Sequence, residues 1–249
     1  MGEDFIVVQD LRKSFHEHKA VNGVSFTIHK GEIFGLLGPN GAGKTTTIRM
    51  LSTVLESDGG DVFIGGHSMR NEADAVRNLI GVCPQELALY EDLSALDNLV
   101  FFGRMVGLNG KDARTQAIAN LELMGLLERA QGKIAKFSGG MKRRINLAIA
   151  LMGHPELLFL DEPTVGIDPQ SRNSIFETIQ GLREKGMTVL YTTHYMEEAD
   201  HLCDRIAIMD GGQVVAMDTP YQLKSQIGQP EKVTLEDVFL KLTGRSLRD

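Results

Sequence analysis

The sequence predicts an α/β fold: a core with a mainly parallel sheet, an N-terminal antiparallel β subdomain, and an α-helical subdomain inserted into the core. Three observations predict it. Ile33–Leu37 and Leu157–Leu160 are short runs without a charged residue, as strands buried on both faces of a parallel sheet are. Phe5–Val8 and Gly23–Ile28, the second with alternating apolar residues, precede that core and read as antiparallel strands. From Ser94 to Ala135 strand patterns vanish, and Leu96, Leu99, Val100, Phe102, then Ile118, Leu121, Leu123, Met124 and Leu126 recur at helical spacing.

The totals bound the possibilities. A chain of 249 residues with 42% hydrophobic content buries a substantial core, as one large domain or two small ones. Its net charge of −7 argues against a general nucleic-acid binder, whose footprint is a basic excess. Cys83 and Cys203 are the only cysteines and share no metal-ligand spacing, which points to reduced thiols and a cytosolic compartment. No leader pattern opens the sequence, and no apolar run approaches the ~20 residues that span a bilayer. Met1-Gly2 suggests acylation, but Ile6 stands where that motif needs Ser or Thr, so it is rejected.

Taken in order, Leu11–Phe15 leads from the first strand toward the second. Phe15 is an aromatic in a polar stretch, suited to stack on an adenine ring or to sit half-buried in the core. Ile33–Leu37 then runs into Gly38-Pro39-Asn40-Gly41-Ala42-Gly43-Lys44-Thr45 and the helical Thr46-Thr47-Ile48-Arg49-Met50-Leu51. Strand, glycine turn and helix in that order make a phosphate cradle, as in a P-loop NTPase core. Backbone N–H groups point inward, the helix N-terminus adds positive charge, Lys44 reaches the β- and γ-phosphates, and the Thr45 hydroxyl ligates Mg2+. A chance match at the four fixed positions is on the order of one in a hundred for a chain this size.

Ser57–Asp61 turns the chain into Val62–Ile64, and Gly65–His67 turns it again. Leu79–Cys83 is the next buried strand; it stops at Pro84, followed by Gln85, a loop glutamine that by itself reads as solvated. The helical stretch ends at Phe137-Ser138-Gly139-Gly140-Met141, with a helix beginning near Met141 and carrying Lys142-Arg143-Arg144 in its first turn. Three cations there oppose the helix macrodipole, which suggests a neighbouring polyanion or else a solvated basic face.

Leu157–Leu160 delivers Asp161-Glu162 to the carboxyl end of a buried strand, where adjacent carboxylates are costly unless used. Asp161 suits a Mg2+-side ligand and Glu162 a base beside an attacking water. Val165–Pro169 starts a helix through about Lys185, and Thr188–Thr192 brings Thr193-His194 to a strand end. Ile206–Met209 and Gln213–Ala216 flank Asp210-Gly211-Gly212 as a hairpin. The tail from Tyr221 is polar until Thr234-Leu235-Glu236-Asp237 starts a helix whose stripe is Leu235, Val238, Phe239 and Leu242, facing the domain or a partner. The domain boundaries expected are 1–220, with the helical subdomain at about 86–152, and a tail at 221–249.

In this order the motifs resemble those of ATP-binding-cassette (ABC) transporter ATPase subunits, from about Phe5 to Ala216. Gly38–Thr45 is similar to Walker A, Gln85 to the Q-loop glutamine, Ser138–Met141 to the family signature, and Leu157–Glu162 to Walker B with its catalytic glutamate. Asp168 sits as in the D-loop and His194 as the switch histidine. The resemblance implies ATP and Mg2+ as cofactors. It makes Glu162, His194, Lys44 and Gln85 catalytic, and Thr45, Gln85 and Asp161 metal ligands. Phe15, Val21, Gly38 through Thr46, Gln85, Ser138, Gly139, Gly140, Met141 and Asp168 become the nucleotide-contacting set. Met141 departs from the usual signature glutamine, Phe15 from a frequent tyrosine, and Val165-Gly166-Ile167-Asp168 from the common D-loop; none removes a charged catalytic group.

These variants, with Thr193-His194-Tyr195-Met196-Glu197-Glu198-Ala199-Asp200 and Leu235-Glu236-Asp237-Val238-Phe239, resemble the branch that drives drug, antibiotic, polysaccharide or lipid-linked export. That implies a head-to-tail dimer with a second copy or a homologous subunit, sandwiching two ATP between Walker A of one and the signature of the other. It also implies a separate polytopic permease, a place on the cytoplasmic face of the membrane, and no nucleic-acid partner. An importer ATPase, a soluble ABC ATPase acting on ribosomes or DNA, and a nucleotide-gated module without turnover are the competing readings. The soluble enzymes usually carry two cassettes or a long coiled-coil insertion, which this chain lacks.

Overall fold

A computed structural model describes residues 3–244; Met1-Gly2, the rejected acylation start, and the tail end 245–249 lie outside the described residues. β1 (Asp4–Phe15) and β2 (His18–His29) pair antiparallel, with Ile6 opposite Ile28 and Val8 opposite Phe26. They run longer than the apolar segments suggest. Asp10, at a φ of 50°, lies in a register break between Val8 and Leu11, and pairing resumes beyond that bulge. β3 (Ile33–Leu37) is buried at every position and leads to α1 (Lys44–Leu51).

β4 (Gly59–Ile64) and β5 (His67–Ser68) follow, then α2 (Ala73–Leu79) and β6 (Ile80–Cys83). Next come α3 (Ala95–Met105), α4 (Gly110–Leu123) and α5 (Gly139–Ala150), whose first turns are capped by Ser94, Asn109 and Ser138. β7 (Leu157–Asp161) precedes α6 (Pro169–Glu184), which Asp168 caps and Pro169 opens. β8 (Thr188–Thr193), α7 (Met196–Leu202), β9 (Arg205–Asp210), β10 (Gln213–Asp218), α8 (Pro220–Ser225) and α9 (Leu235–Thr243) complete the chain. Among the described residues no helix is long and apolar enough to cross a membrane.

Contacts group these elements into two compact units, residues 3–77 with 188–244, and residues 78–187. In the first, β2-β1-β4-β5 form the expected antiparallel sheet, and β3 lies parallel to both β8 and β9, with β10 antiparallel on β9. Leu37 pairs with Thr193 on one side and Ile208 on the other, so three strands end at one edge. Phe26 and Phe34 stack at 5.2 Å, and the Arg205 guanidinium lies over Phe34 while pairing with Glu32 at 3.1 Å. Burial pushes the Glu32 carboxyl up, opposed by the His29 N–H and Arg205. α9 buries Leu235, Val238 and Phe239 and packs against α7 and α8 of its own chain; Leu242, expected in that stripe, stays exposed.

In the second unit β6 and β7 pair in parallel, Cys83 opposite Leu160, and α3, α4 and α5 pack on one another. The α/β expectation, with an N-terminal antiparallel sheet and a run of helices between parallel strands, is met. Sequence periodicity misses α2, α7 and α8, which at seven, seven and six residues complete fewer than two helical turns. It also places the start of α5 two residues late.

Candidate functional site

The phosphate loop is built by what surrounds it. Gly43 caps α1 at a φ of 103°, and a Cβ there would strike the Ala20 carbonyl and come 3.5 Å from Val21 Cγ2. Val21 is thus buried against the loop from β2, and the β9–β10 turn closes the other side, the Gly212 N–H donating to the Ala42 carbonyl at 3.2 Å. Lys44 is 4% exposed; its ammonium donates to the carbonyls of Gly38 at 2.9 Å and Pro39 at 3.1 Å. The cation is held on its own loop. Asn40 and Gly41 face solvent, Thr45 and Thr46 are half-buried, and Phe15 is 45% exposed at the end of β1 with Lys13 Nζ 5.9 Å from its ring centre. At that exposure Phe15 is not part of the buried core.

His194 follows β8 directly, and since Thr193 pairs with Leu37, it leaves the same strand edge as Gly38. Its position is fixed by a residue that the sequence reading left unassigned. The buried Glu198 carboxylate accepts from Tyr191 Oη at 2.8 Å and Thr193 Oγ1 at 2.9 Å, and Thr193 Oγ1 accepts from the Tyr195 N–H at 2.9 Å. The Tyr195 ring lies 4.1 Å from the His194 ring. A carboxylate four residues after a histidine on a helix was the available signal.

In the second unit the β6–β7 pair brings Gln85, Asp161 and Glu162 to one edge, because Cys83 opposite Leu160 sets Pro84 level with Asp161. Gln85 is exposed, whereas Asp161 and Glu162 are 4% and 5% exposed. Glu162 adopts a φ of 46°, a left-handed conformation that a glutamate rarely takes. Burial pushes the neighbouring Cys83 thiol up to about 11.

Ser138 is the N-cap of α5, its Oγ accepting the Met141 N–H at 3.2 Å. The helix therefore starts at Gly139, not near Met141. The two glycines differ. A Cβ on Gly139 would meet nothing within 4 Å, whereas one on Gly140 would overlap Ser171 and come 3.7 Å from Asp168 Oδ2. Gly140 thus lets α5 approach the start of α6, and Gly139 is the exposed one. Asp168 Oδ1 accepts the Ser171 N–H at 2.9 Å, and hydrogen bonds from Ser171 hold its carboxyl below the usual carboxylate range.

The cationic run has partners within its own unit. Lys142 pairs with Glu91, Arg143 donates to the carbonyls of Pro84 and Gln85, and Arg144 donates to that of Met124. Because α5 starts at Gly139, these residues fall at the end of the first turn and in the second, where the macrodipole penalty fades. Thr45, Gln85 and Asp161 each offer the hard side-chain oxygen that Mg2+ prefers. No group of three acidic, His or Cys side chains that could hold a metal ion exists among the described residues.

With this geometry in place, comparison with known proteins is informative. The family model described as ABC transporter matches residues 21–165. The chain is 53% identical over 220 residues to the linearmycin resistance ATP-binding protein LnrL of Bacillus subtilis, covering 88% of this chain and 71% of that protein. It is 41% identical over 237 residues to the Nod factor export ATP-binding protein I of Burkholderia lata, covering 92% and 78%. Among solved structures, an ATP binding subunit of an ABC transporter superposes with a TM-score of 0.84 at 28% identity, over 96% of this chain and 99% of that one. The cassette MJ0796, a dimer in a post-hydrolysis state bound to ADP and Pi, gives 0.75 at 26% identity, over 86% and 98%.

Proposed function

This chain belongs to the ABC transporter family, and from that premise we propose that it is the ATP-hydrolysing subunit of an exporter, paired with a separate polytopic permease. The observation that carries the reading is the loop at Gly38–Thr45, where Lys44 is stored on two loop carbonyls at the mouth of a helix N-terminus. When ATP arrives, its phosphates replace those carbonyls as the partners of the ammonium. Phe15 and Val21 flank the base, and the loop N–H groups hold the β-phosphate.

The remaining roles follow from the chemistry of each side chain. Thr45, Gln85 and Asp161 would hold Mg2+, which would neutralise phosphate charge when bound. Glu162 orients and deprotonates the attacking water, and His194 donates to the γ-phosphate, its loop braced by Glu198. A second copy supplies Ser138 as hydrogen-bond donor and Gly139 as the point of close approach; the dimeric MJ0796 cassette supports this arrangement. The Ser138 oxygen accepts from Met141, so its O–H proton is available for that purpose. The names of the linearmycin-resistance and Nod-factor-export relatives support export as the direction, with the chain on the cytoplasmic face of the membrane through its permease.

The test is to isolate the tagged chain from gently solubilised membranes and assay the complex for phosphate release from Mg-ATP. Copurification of a polytopic membrane protein together with steady release is expected. A complex that never releases phosphate overturns the ATPase reading, and a ribosomal or nucleic-acid partner in place of a permease overturns the exporter reading.

A further inference from the structure

We propose that Arg143 is a positioning residue that ties the helix bearing Ser138 and Gly139 to the loop bearing Gln85, so that movement of α5 moves the Gln85 backbone with it. The inference rests on the role given above to Gln85.

Arg143 is 6% exposed, and guanidinium groups are seldom buried this far unless paired. Among the described residues its fork closes on no carboxylate. Nη1 donates to the Pro84 carbonyl at 2.8 Å and Nη2 to the Gln85 carbonyl at 2.8 Å. Successive carbonyls of an extended chain point to opposite sides. Both meet one planar fork only where the chain bends, so the pair of bonds selects one backbone conformation at Pro84-Gln85. A lysine, with a single point charge, cannot fix two carbonyls in this way. Asn146, three residues further along α5, donates to the same Pro84 carbonyl at 3.3 Å.

The far end of the loop is held by the same helix. Lys142 pairs with Glu91, whose carbonyl also accepts the Ala135 N–H at 3.0 Å. Between these anchors residues 85–88 are exposed. Two adjacent side chains of α5 therefore grip both ends of a short exposed segment, and the residue that faces the nucleotide sits immediately beside one grip. The helix is rigid over the single turn between Ser138 and Arg143. A contact made at Ser138 is delivered to Gln85 as a displacement of its carbonyl.

The test compares the full chain with Arg143→Met and Arg143→Lys by amide hydrogen exchange and by ATP hydrolysis. Arg143→Met is expected to speed exchange in residues 85–90 by ~10-fold while residues 144–150 keep their protection; Arg143→Lys falls between. Hydrolysis falls about fivefold in Arg143→Met, but by less than about twofold when the same change is made on Gln85→Ala, because the two act through one element. Unchanged exchange in 85–90 overturns the proposal. So does an equal rise along α5, which would make Arg143 a plain stability residue, or full additivity of the two substitutions. Should the unaltered chain hydrolyse nothing, it is the proposed function that fails, and the exchange arm still decides whether Arg143 holds the loop.

Discussion

The phosphate loop and the signature turn both place a glycine-rich segment at a helix N-terminus, and they satisfy that terminus differently. At Gly38–Thr45 the glycines are conformational. Gly41 and Gly43 have φ of 80° and 103°, the loop is flanked by β2 and the β9–β10 turn, and its own lysine donates to two of its carbonyls. At Ser138–Met141 neither glycine has positive φ, a serine hydroxyl caps the helix, and Gly139 faces open space. One is a loop furnished with its own cation; the other presents a serine-capped helix end with no cation in its first three residues. Under the function proposed above, the first would bind phosphate by itself and the second would complete a site carried by another copy.

The strongest way to break this comparison is to remove the chemistry and leave both turns intact. Glu162→Gln is expected to lower kcat by ~10²–10³-fold with nucleotide affinity retained, and to accumulate an ATP-bound dimer in size-exclusion chromatography. Near-normal turnover would exclude Glu162 as the base. Lys44→Ala attacks only the furnished cradle: ATP affinity by calorimetry should drop about 100-fold, since the ammonium has no substitute there. Gly140→Ala and Gly139→Ala sharpen the other side. Overlap with Ser171 makes the first cost about 1–3 kcal/mol in denaturant unfolding, while the second leaves stability unchanged and slows hydrolysis. Ser138→Ala should cost ~1 kcal/mol as a lost cap, and Ser138→Asp should keep that stability.

The smallest effect is one of pH. Asp168, which caps α6 beside the signature turn, has its carboxyl depressed in the folded state by hydrogen bonds from Ser171. Its stabilising contribution is complete above the ordinary carboxylate value and is lost as pH falls through the folded one. Carboxyl titration by NMR should find Asp168 below the usual range, and Ser171→Ala should raise it.

Legibility in the sequence tracked how far apart the interacting residues lie. The strand, loop and helix at 33–51 are contiguous, so motif and context could be read together. The start of α5 was misplaced because two glycines discount helix propensity, while the Ser138 cap that outweighs them acts over three residues. Arg143 stands out in the sequence by its charge alone. The macrodipole rule noticed it, but its partners Pro84 and Gln85 are 59 and 58 residues distant, beyond any periodic pattern. Glu198 stayed hidden since a surface-type residue becomes buried only once β8 and α7 are assembled. The glycine pair read as one feature, and only packing separates Gly139 from Gly140.

The left-handed backbone at Glu162 carries a consequence of its own. A side chain that prefers other conformations is held there by what surrounds it, at a cost of about 1–3 kcal/mol. Glycine or asparagine adopts that conformation more easily, so relief of this strain should offset part of what Glu162→Gly or Glu162→Asn loses in contacts, a balance that melting temperature reads out. Under the function proposed above, selection for stability and selection for turnover act on this position in opposite directions.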